Sequence, residues 1–297
     1  MHHFERIFPG LYMLKVPFST IWSAVFLVGG DQPVLVDSGP SSEAVDNCII
    51  PALQELGLRL DDISWLINTH AHGDHMGGND RILRLAPSIK LAAIEEARDK
   101  MINPLKYNVL TRSRYPGFSP TPPKEIPGHV PELILKDGDV LAGRLKIIHT
   151  PGHDTECICL LDLKSKTLLT GDSLQAFGMI GVDGAGLAFY KDLPAYLKSI
   201  KLAESVGAEN IVASHDYRPF GYSALGSDAV AVYLKTSTIA CEIYGILVRN
   251  AVRHGIHELN KIAEYVLDQL AVEPPPLLFM TMYTVEEHIR KAGALIE

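Results

Sequence analysis

Cysteine is scarce in this chain. Four thiols, Cys48, Cys157, Cys159 and Cys241, are spread over 297 residues, too few to staple a protein of this length with disulfides. A reducing compartment fits that count. No uninterrupted apolar run reaches the roughly 18–20 residues that a bilayer crossing requires. The start, Met1-His2-His3-Phe4-Glu5-Arg6, lacks the basic-then-apolar layout of a signal peptide. A soluble, cytoplasmic protein without a membrane partner is the expectation. Positive charge is in deficit: 27 Lys and Arg stand against 35 Asp and Glu, a formal net charge of −8. Such a surface repels phosphate backbones and argues against a nucleic-acid partner. Apolar residues at 47% and charged residues at 21% are ordinary globular usage, which excludes disorder as the main state. The length accommodates one large domain, or one with a small appendage.

Residues 11–16, 21–28 and 33–36 read as short strands, with Gly29-Gly30-Asp31 as the turn between the last two. Ser41 or Ser42 caps a helix that runs to about Leu56 and ends at Gly57. Strand-like residues 62–68 lead into a polar, glycine-containing loop, 69–78. Helix over 80–85, strand over 89–93 and helix over 94–102 follow. Residues 103–131 carry Pro104, Pro116, Pro120, Pro122, Pro123, Pro127 and Pro131, a density that predicts an irregular insertion near a site mouth. Strands are expected at 140–141, 145–149, 157–161, 167–169 and 210–213, a glycine-rich loop over 171–191 and a helix over 192–205. From Ala224 onward helices dominate, interrupted at Pro274-Pro275-Pro276. There Ile239, Ile243, Ile246 and Leu247 offer an apolar face for packing, dimerisation or covering a site.

Histidine is where the sequence becomes specific. Three of twelve fall in Thr69-His70-Ala71-His72-Gly73-Asp74-His75-Met76-Gly77-Gly78. In a loop after a strand, His70 and His72 can chelate one ion, while Asp74 and His75 reach a second. Imidazole with carboxylate suits zinc, manganese or iron. Gly73, Gly77 and Gly78 are expected to let the backbone bend tightly there.

The run His-x-His-x-Asp-His resembles the signature of the metallo-β-lactamase fold superfamily. Pro151-Gly152-His153-Asp154 resembles its third histidine motif, Thr170-Gly171-Asp172-Ser173 its bridging-aspartate motif and Ser214-His215-Asp216 its final histidine motif. Val36-Asp37-Ser38-Gly39 resembles its early strand-end aspartate. The resemblance spans about residues 11–217. It implies an α+β fold, a four-layer αββα sandwich over residues 1–223 with a helical C-terminal extension over 224–297. It also implies that His70, His72 and His153 hold one divalent ion and Asp74, His75 and His215 a second. Asp172 then bridges them, and Asp37 acts as a supporting group. Zinc is the first expectation for both ions, ahead of iron and manganese.

The activity this implies is hydrolysis of a small ester, thioester or lactone, by attack of a hydroxide that bridges the ions. Asp74 would pass the proton to the leaving group. Tyr190 and Tyr217 are the candidates to donate to a substrate carbonyl. Tyr107, Tyr115 and Phe118 would make the pocket wall apolar. Zinc β-lactamases usually lack the aspartate supplied here by Asp172, and no nuclease arm is visible. The runner-up is a mononuclear iron persulfide dioxygenase-like oxidoreductase using His72, His153 and Asp172; a non-catalytic binding protein stands third. Two departures, Asp154-Thr155-Glu156-Cys157 after the third histidine and Ala213-Ser214 before His215, leave the subfamily open. A homodimer is a further expectation.

Overall fold

The computed structural model describes residues 2–181, 184–272 and 278–292. The Pro274-Pro275-Pro276 interruption lies outside them. Two sheets face each other. The first runs β1 (Glu5–Phe8), β2 (Leu11–Phe18), β3 (Ile21–Val28), β4 (Val34–Val36), β5 (Trp65–Ile67), β6 (Lys90–Ile94) and β7 (Leu133–Leu135), in chain order across the sheet. It is antiparallel through β4 and parallel from β4 to β7. The second sheet contains β8 (Val140–Leu141), β9 (Leu145–His149), β10 (Ile158–Asp162), β11 (Thr167–Leu169), β14 (Asn210–Tyr217) and β15 (Gly221–Leu225). Its order is β15-β14-β11-β10-β9-β8, with β11 and β14 parallel. The glycine-rich stretch expected as a loop carries a small hairpin, β12 (Ile180–Gly181) and β13 (Gly184–Ala185).

Helices cover both outer faces. One side carries α1 (Ser42–Ala44), a π turn (Val45–Ile49), α2 (Ile50–Glu55), α3 (Gly73–Met76), α4 (Asn79–Leu85), α5 (Glu95–Ile102) and α6 (Pro104–Ser113). Ser41 caps α1 by accepting from the Ala44 N–H, as its position before the helix demands. The other side carries α7 (Leu193–Ser205), α8 (Ser227–Arg253), α9 (Leu259–Gln269) and α10 (Leu278–Ala292). Two apolar cores follow. One lies between and beneath the sheets, joining Phe26, Leu35 and Leu66 to Ile158, Leu160 and Val212. The other joins the outer face of the second sheet, through Leu161, Leu168 and Ile211, to Tyr196, Tyr233, Tyr244 and Val266 of the helices. Helix, sheet, sheet and helix make the four layers, with α9 and α10 packed on α8.

Two expectations need correcting. The 103–131 stretch is not wholly irregular, because α6 occupies Pro104–Ser113. Pro104 sits in its first turn, where a missing N–H costs no helical bond. In α8 the buried stripe is Tyr233, Leu234, Ser237, Ala240, Cys241, Tyr244, Val248 and Ala251, whereas Ile246 is exposed. By length and composition α8 would reach across a bilayer; here that buried stripe packs inside the protein.

Candidate metal centre

The site forms where strand ends from both sheets meet. The chain leaving β5 supplies His70, His72, Asp74 and His75. The loop after β9 supplies His153, the end of β11 supplies Asp172, and β14 itself supplies His215. Glycine lets these loops close on one another. A Cβ on Gly171 would sit 2.6 Å from the Thr69 side chain, and φ there is +50°. A Cβ on Gly77 would meet the Pro40 carbonyl oxygen at 2.1 Å. The expected bending role is therefore corrected: Gly77 (φ −62°) and Gly78 (φ −88°) are in helical backbone and make room for the Pro40 and Ser38 carbonyls, and Gly73 has neither a positive φ nor a close neighbour.

All seven ligand candidates converge. His70, His72 and His153 offer ligand atoms lying within 4.8 Å of one another, as do Asp74, His75 and His215. His153 Nε2 lies 3.0 Å from His72 Nδ1. His75 Nε2 lies 3.3 Å from His215 Nε2. Asp172 stands between the two sets. Its Oδ2 is 3.9 Å from His70 Nε2 and 3.6 Å from His153 Nε2, while its Oδ1 is 3.6 Å from His75 Nε2 and 3.3 Å from His215 Nε2. Asp74 Oδ2 lies 3.3 Å from His215 Nε2 and 3.4 Å from His75 Nε2.

Behind each imidazole stands a hydrogen-bond acceptor. His75 Nδ1 donates to Asp37 Oδ2 at 2.8 Å. His153 Nδ1 donates to the Phe189 carbonyl at 2.8 Å, and His215 Nδ1 to the Trp22 carbonyl at 2.5 Å. Thr69 Oγ1 gives its proton to Asp37 Oδ2 at 2.9 Å and lies 3.2 Å from His70 Nδ1, whose N–H it accepts. His72 is reversed, with Nε2 toward Asp154 Oδ2 at 3.3 Å. Carbonyls and ionised carboxylates cannot donate, so the rear nitrogen carries a proton, which leaves the front nitrogen as the one that can meet an ion. Five rings so held, four of them with a nitrogen within 3.9 Å of an Asp172 oxygen, are a ligand cage. His70 Nε2 is buried with no hydrogen-bond partner at all, an arrangement a bound cation resolves.

Charge divides the cage. Burial lowers His70 and His153, and neighbouring histidines lower them further, His153 to about 3. Burial also opposes charge on His75 and His215, but the carboxylates outweigh it: Asp74 and Asp172 raise His75, and Asp172 and Asp74 lift His215 to about 9. Asp74 and Asp172 stay ionised against burial because these histidines face them.

The tyrosines need correction. Tyr190 is fully buried, and its hydroxyl lies 2.6 Å from His288 Nε2 on α10, away from the cage. Its neighbour Phe189 faces the site instead, stacked 6.2 Å from His72 and edge-on to His153 at 4.9 Å. Tyr217 is also fully buried and donates to Asp172 Oδ1 at 2.9 Å; it orients that carboxylate and does not reach out to a substrate. Tyr190→Phe is expected to leave metal content unchanged while lowering stability by about 1 kcal/mol, the worth of one buried hydrogen bond. Thermal melting beside metal analysis checks both. Of the expected apolar wall only Tyr115 is in place, edge-on to Tyr283 at 4.9 Å, with Tyr283 against Phe189 at 5.7 Å. Phe118 is exposed, and Tyr107 bonds Asp99.

Sequence reasoning also missed several supports. Gln175 donates to the Asp172 carbonyl at 2.8 Å and accepts from the Phe189 N–H at 2.7 Å, framing His153. Lys100 and Lys191 close on Asp154. Lys100 and Lys191 come from a remote helix and loop, where no motif marks them, and Gln175 stands just beyond the Thr170–Ser173 motif.

The sequence profile of the metallo-β-lactamase superfamily matches residues 22–215. The chain belongs to the metallo-β-lactamase superfamily. Among its relatives is Uncharacterized protein YobT of Bacillus subtilis, 36% identical over 140 residues, covering 46% of this chain and 55% of that one. Another is the Atrochrysone carboxyl ACP thioesterase of Aspergillus fumigatus, 24% identical over 181 residues, covering 60% of this chain and 45% of that one. The chain thus spans about half the length of both. A metallo-β-lactamase family protein from Thermus thermophilus shares the fold, with TM-score 0.69 and 22% identity, covering 97% of this chain and 96% of that one.

Proposed function

We propose that this chain is a dinuclear metal-dependent hydrolase of a small ester, thioester or lactone. The observation that carries the reading is the cage itself: five back-bonded imidazoles in two sets, each set facing a different oxygen of Asp172. His70 Nε2, His72 Nδ1 and His153 Nε2 would hold the first ion. Asp74, His75 Nε2 and His215 Nε2 would hold the second, with one Asp172 oxygen to each. Imidazole and carboxylate donors favour zinc, with iron and manganese as alternatives. When bound, such an ion pair supplies a water acidified toward neutrality and Lewis acidity for an acyl oxygen.

The protein's own groups do the rest. Asp74, whose side chain is 17% exposed, stands at the mouth. It is placed to take the proton of the attacking water and return it to the leaving thiolate or alkoxide as the acyl C–S or C–O bond breaks. Tyr217 keeps Asp172 oriented. Phe189, Tyr283 and Tyr115 give an apolar flank suited to an acyl or ring substrate. The thioesterase name of the fungal relative supports the thioester branch. The net charge of −8 supports a small-molecule substrate over a nucleic acid.

The test is metal analysis of protein purified without chelator, and of apo protein reloaded with zinc, manganese or iron, beside thiol release from acyl thioesters and ring opening of lactones. Near two ions per chain with turnover is the expected result. One iron per chain that does not rise on reloading, with persulfide-dependent oxygen uptake, overturns it.

A further inference from the structure

His72 is held differently from the other four imidazoles. Side chains of His70, His75, His153 and His215 are at most 1% exposed, so packing locks their rings. The His72 side chain is 24% exposed and points its opposite nitrogen inward. Packing alone does not fix such a ring. What stands behind it is the departure noted after the third histidine, Asp154-Thr155-Glu156.

Those carboxylates sit in a closed cluster of four charges. Asp154 Oδ1 accepts from Lys100 Nζ and from the Thr155 N–H at 2.8 Å. Asp154 Oδ2 accepts from His72 Nε2 at 3.3 Å and from Lys191 Nζ at 2.6 Å. Lys100 also bonds Glu156 Oε2, and Glu156 Oε1 takes the N–H of Ala71, between the two histidines of the first motif, at 3.2 Å. Lys191 is steadied by Thr111 Oγ1 of α6 at 3.1 Å. Side-chain exposures are 13% for Lys100, 9% for Asp154, 0% for Glu156 and 20% for Lys191. Two ammonium and two carboxylate groups leave no net charge in this enclosed space, the condition under which buried ions persist. Every oxygen of Asp154 is engaged, so the group is not free to swing in as a ligand itself.

We propose that Asp154, clamped between Lys100 and Lys191, is a positioning residue for the first metal site: it accepts the hydrogen bond of the His72 Nε2–H and thereby commits Nδ1 to the ion. The inference rests on the dinuclear reading above and adds to it a group outside the seven ligands. Outer carboxylates of this kind set ring orientation and ligand basicity, and their loss typically costs about 10–100-fold in metal affinity.

The experiment uses Asp154→Asn and Glu156→Gln in the full chain, with zinc affinities measured by chelator competition and the cobalt-substituted protein followed by visible absorption. An amide at 154 must aim its NH2 at an ammonium or at the His72 N–H, so either arrangement breaks the clamp. Asp154→Asn is expected to weaken one of the two ions at least about tenfold, leave the other unchanged and alter the cobalt spectrum. Glu156→Gln shares the cluster and the Lys100 contact but does not touch His72, and is expected to keep both affinities within about twofold. A purely structural cluster would show equal metal affinities in both variants and wild type, with only melting temperature lowered; that result overturns the inference. On the wild-type zinc protein, nitrogen–proton correlation spectra of His72 give a second reading independent of any variant. A protonated Nε2 is expected, and a ring bound through Nε2 overturns the inference. Wild-type protein that takes up no metal fails earlier, at the dinuclear reading itself.

Discussion

Asp172→Ala is expected to abolish turnover, by at least about a thousandfold, and to reduce bound metal below two ions per chain. The magnitude follows from what one side chain does. Its two oxygens face different histidine sets, and they carry the negative charge against which His75 and His215 are held. Removing it separates the two sets and leaves the Tyr217 hydroxyl without its partner. A thousandfold loss is about 4 kcal/mol of transition-state stabilisation, in keeping with Lewis-acid and bridging contributions of several kcal/mol. Steady-state rates on a thioester beside metal analysis check it. Full activity in this variant would sink the hydrolase reading.

Arg144→Met is expected to be the most destabilising single change far from the site. Arg144 makes a two-pronged bond to Asp162, Nε to Oδ1 at 2.6 Å and Nη2 to Oδ2 at 2.8 Å. It also donates to the carbonyls of Gly10 at 2.9 Å and Gly29 at 2.8 Å. Those glycines belong to the first sheet's turns, whereas Arg144 and Asp162 belong to the second sheet. One guanidinium thus ties the sheets together at the end remote from the histidines. Breaking a buried pair by removing one partner leaves the other charge uncompensated and costs about 3–5 kcal/mol. That loss lowers the melting midpoint on the order of 10 °C. The protein that remains folded should keep two ions per chain, so calorimetry and metal analysis separate this variant from Asp172→Ala.

Acid acts on the same pair. Burial works against ionisation of Asp162, but Arg144 and Ser165 outweigh it and hold the carboxyl below its ordinary value. A depressed folded pKa means stability that is present above the unfolded value of about 3.9 and is lost as pH falls through the folded one. Wild type should therefore lose this contribution in acid, while Arg144→Met lacks the share that Arg144 supplies and loses less.

The ligand residues were legible because the chemistry is local in part: four of the seven fall within six positions, 70–75, at the entry to α3, a density that chance seldom gives. The strands were legible because short apolar runs bounded by turn residues are written into residues 11–28 and 145–169. What escaped shares one physical cause, support supplied across the fold. Lys100 and Lys191 reach the cage from a helix and a loop, and nothing in their own neighbourhoods announces it. Tyr190 misled because adjacent residues in extended backbone point to opposite sides, so Phe189 received the site and Tyr190 the partner His288. Proline density hid α6, since Pro104 starts a helix as readily as it interrupts one. Apolarity alone misplaced the α8 stripe: its core positions are filled by Tyr233, Cys241 and Tyr244, whose polar atoms conceal how deeply they lie.

The ligands also have an order in time. His72 and His153 are separated by 81 positions, His75 and His215 by 140. In a finished chain that difference is slight: closing the longer loop costs only about 0.5 kcal/mol more. During synthesis it is categorical. The first trio and Asp172 are all present once residue 172 has been made, whereas the second trio waits for His215, near the end of β14. A chain interrupted between those points would carry every ligand candidate except His215, with His75 alone facing Asp172 Oδ1.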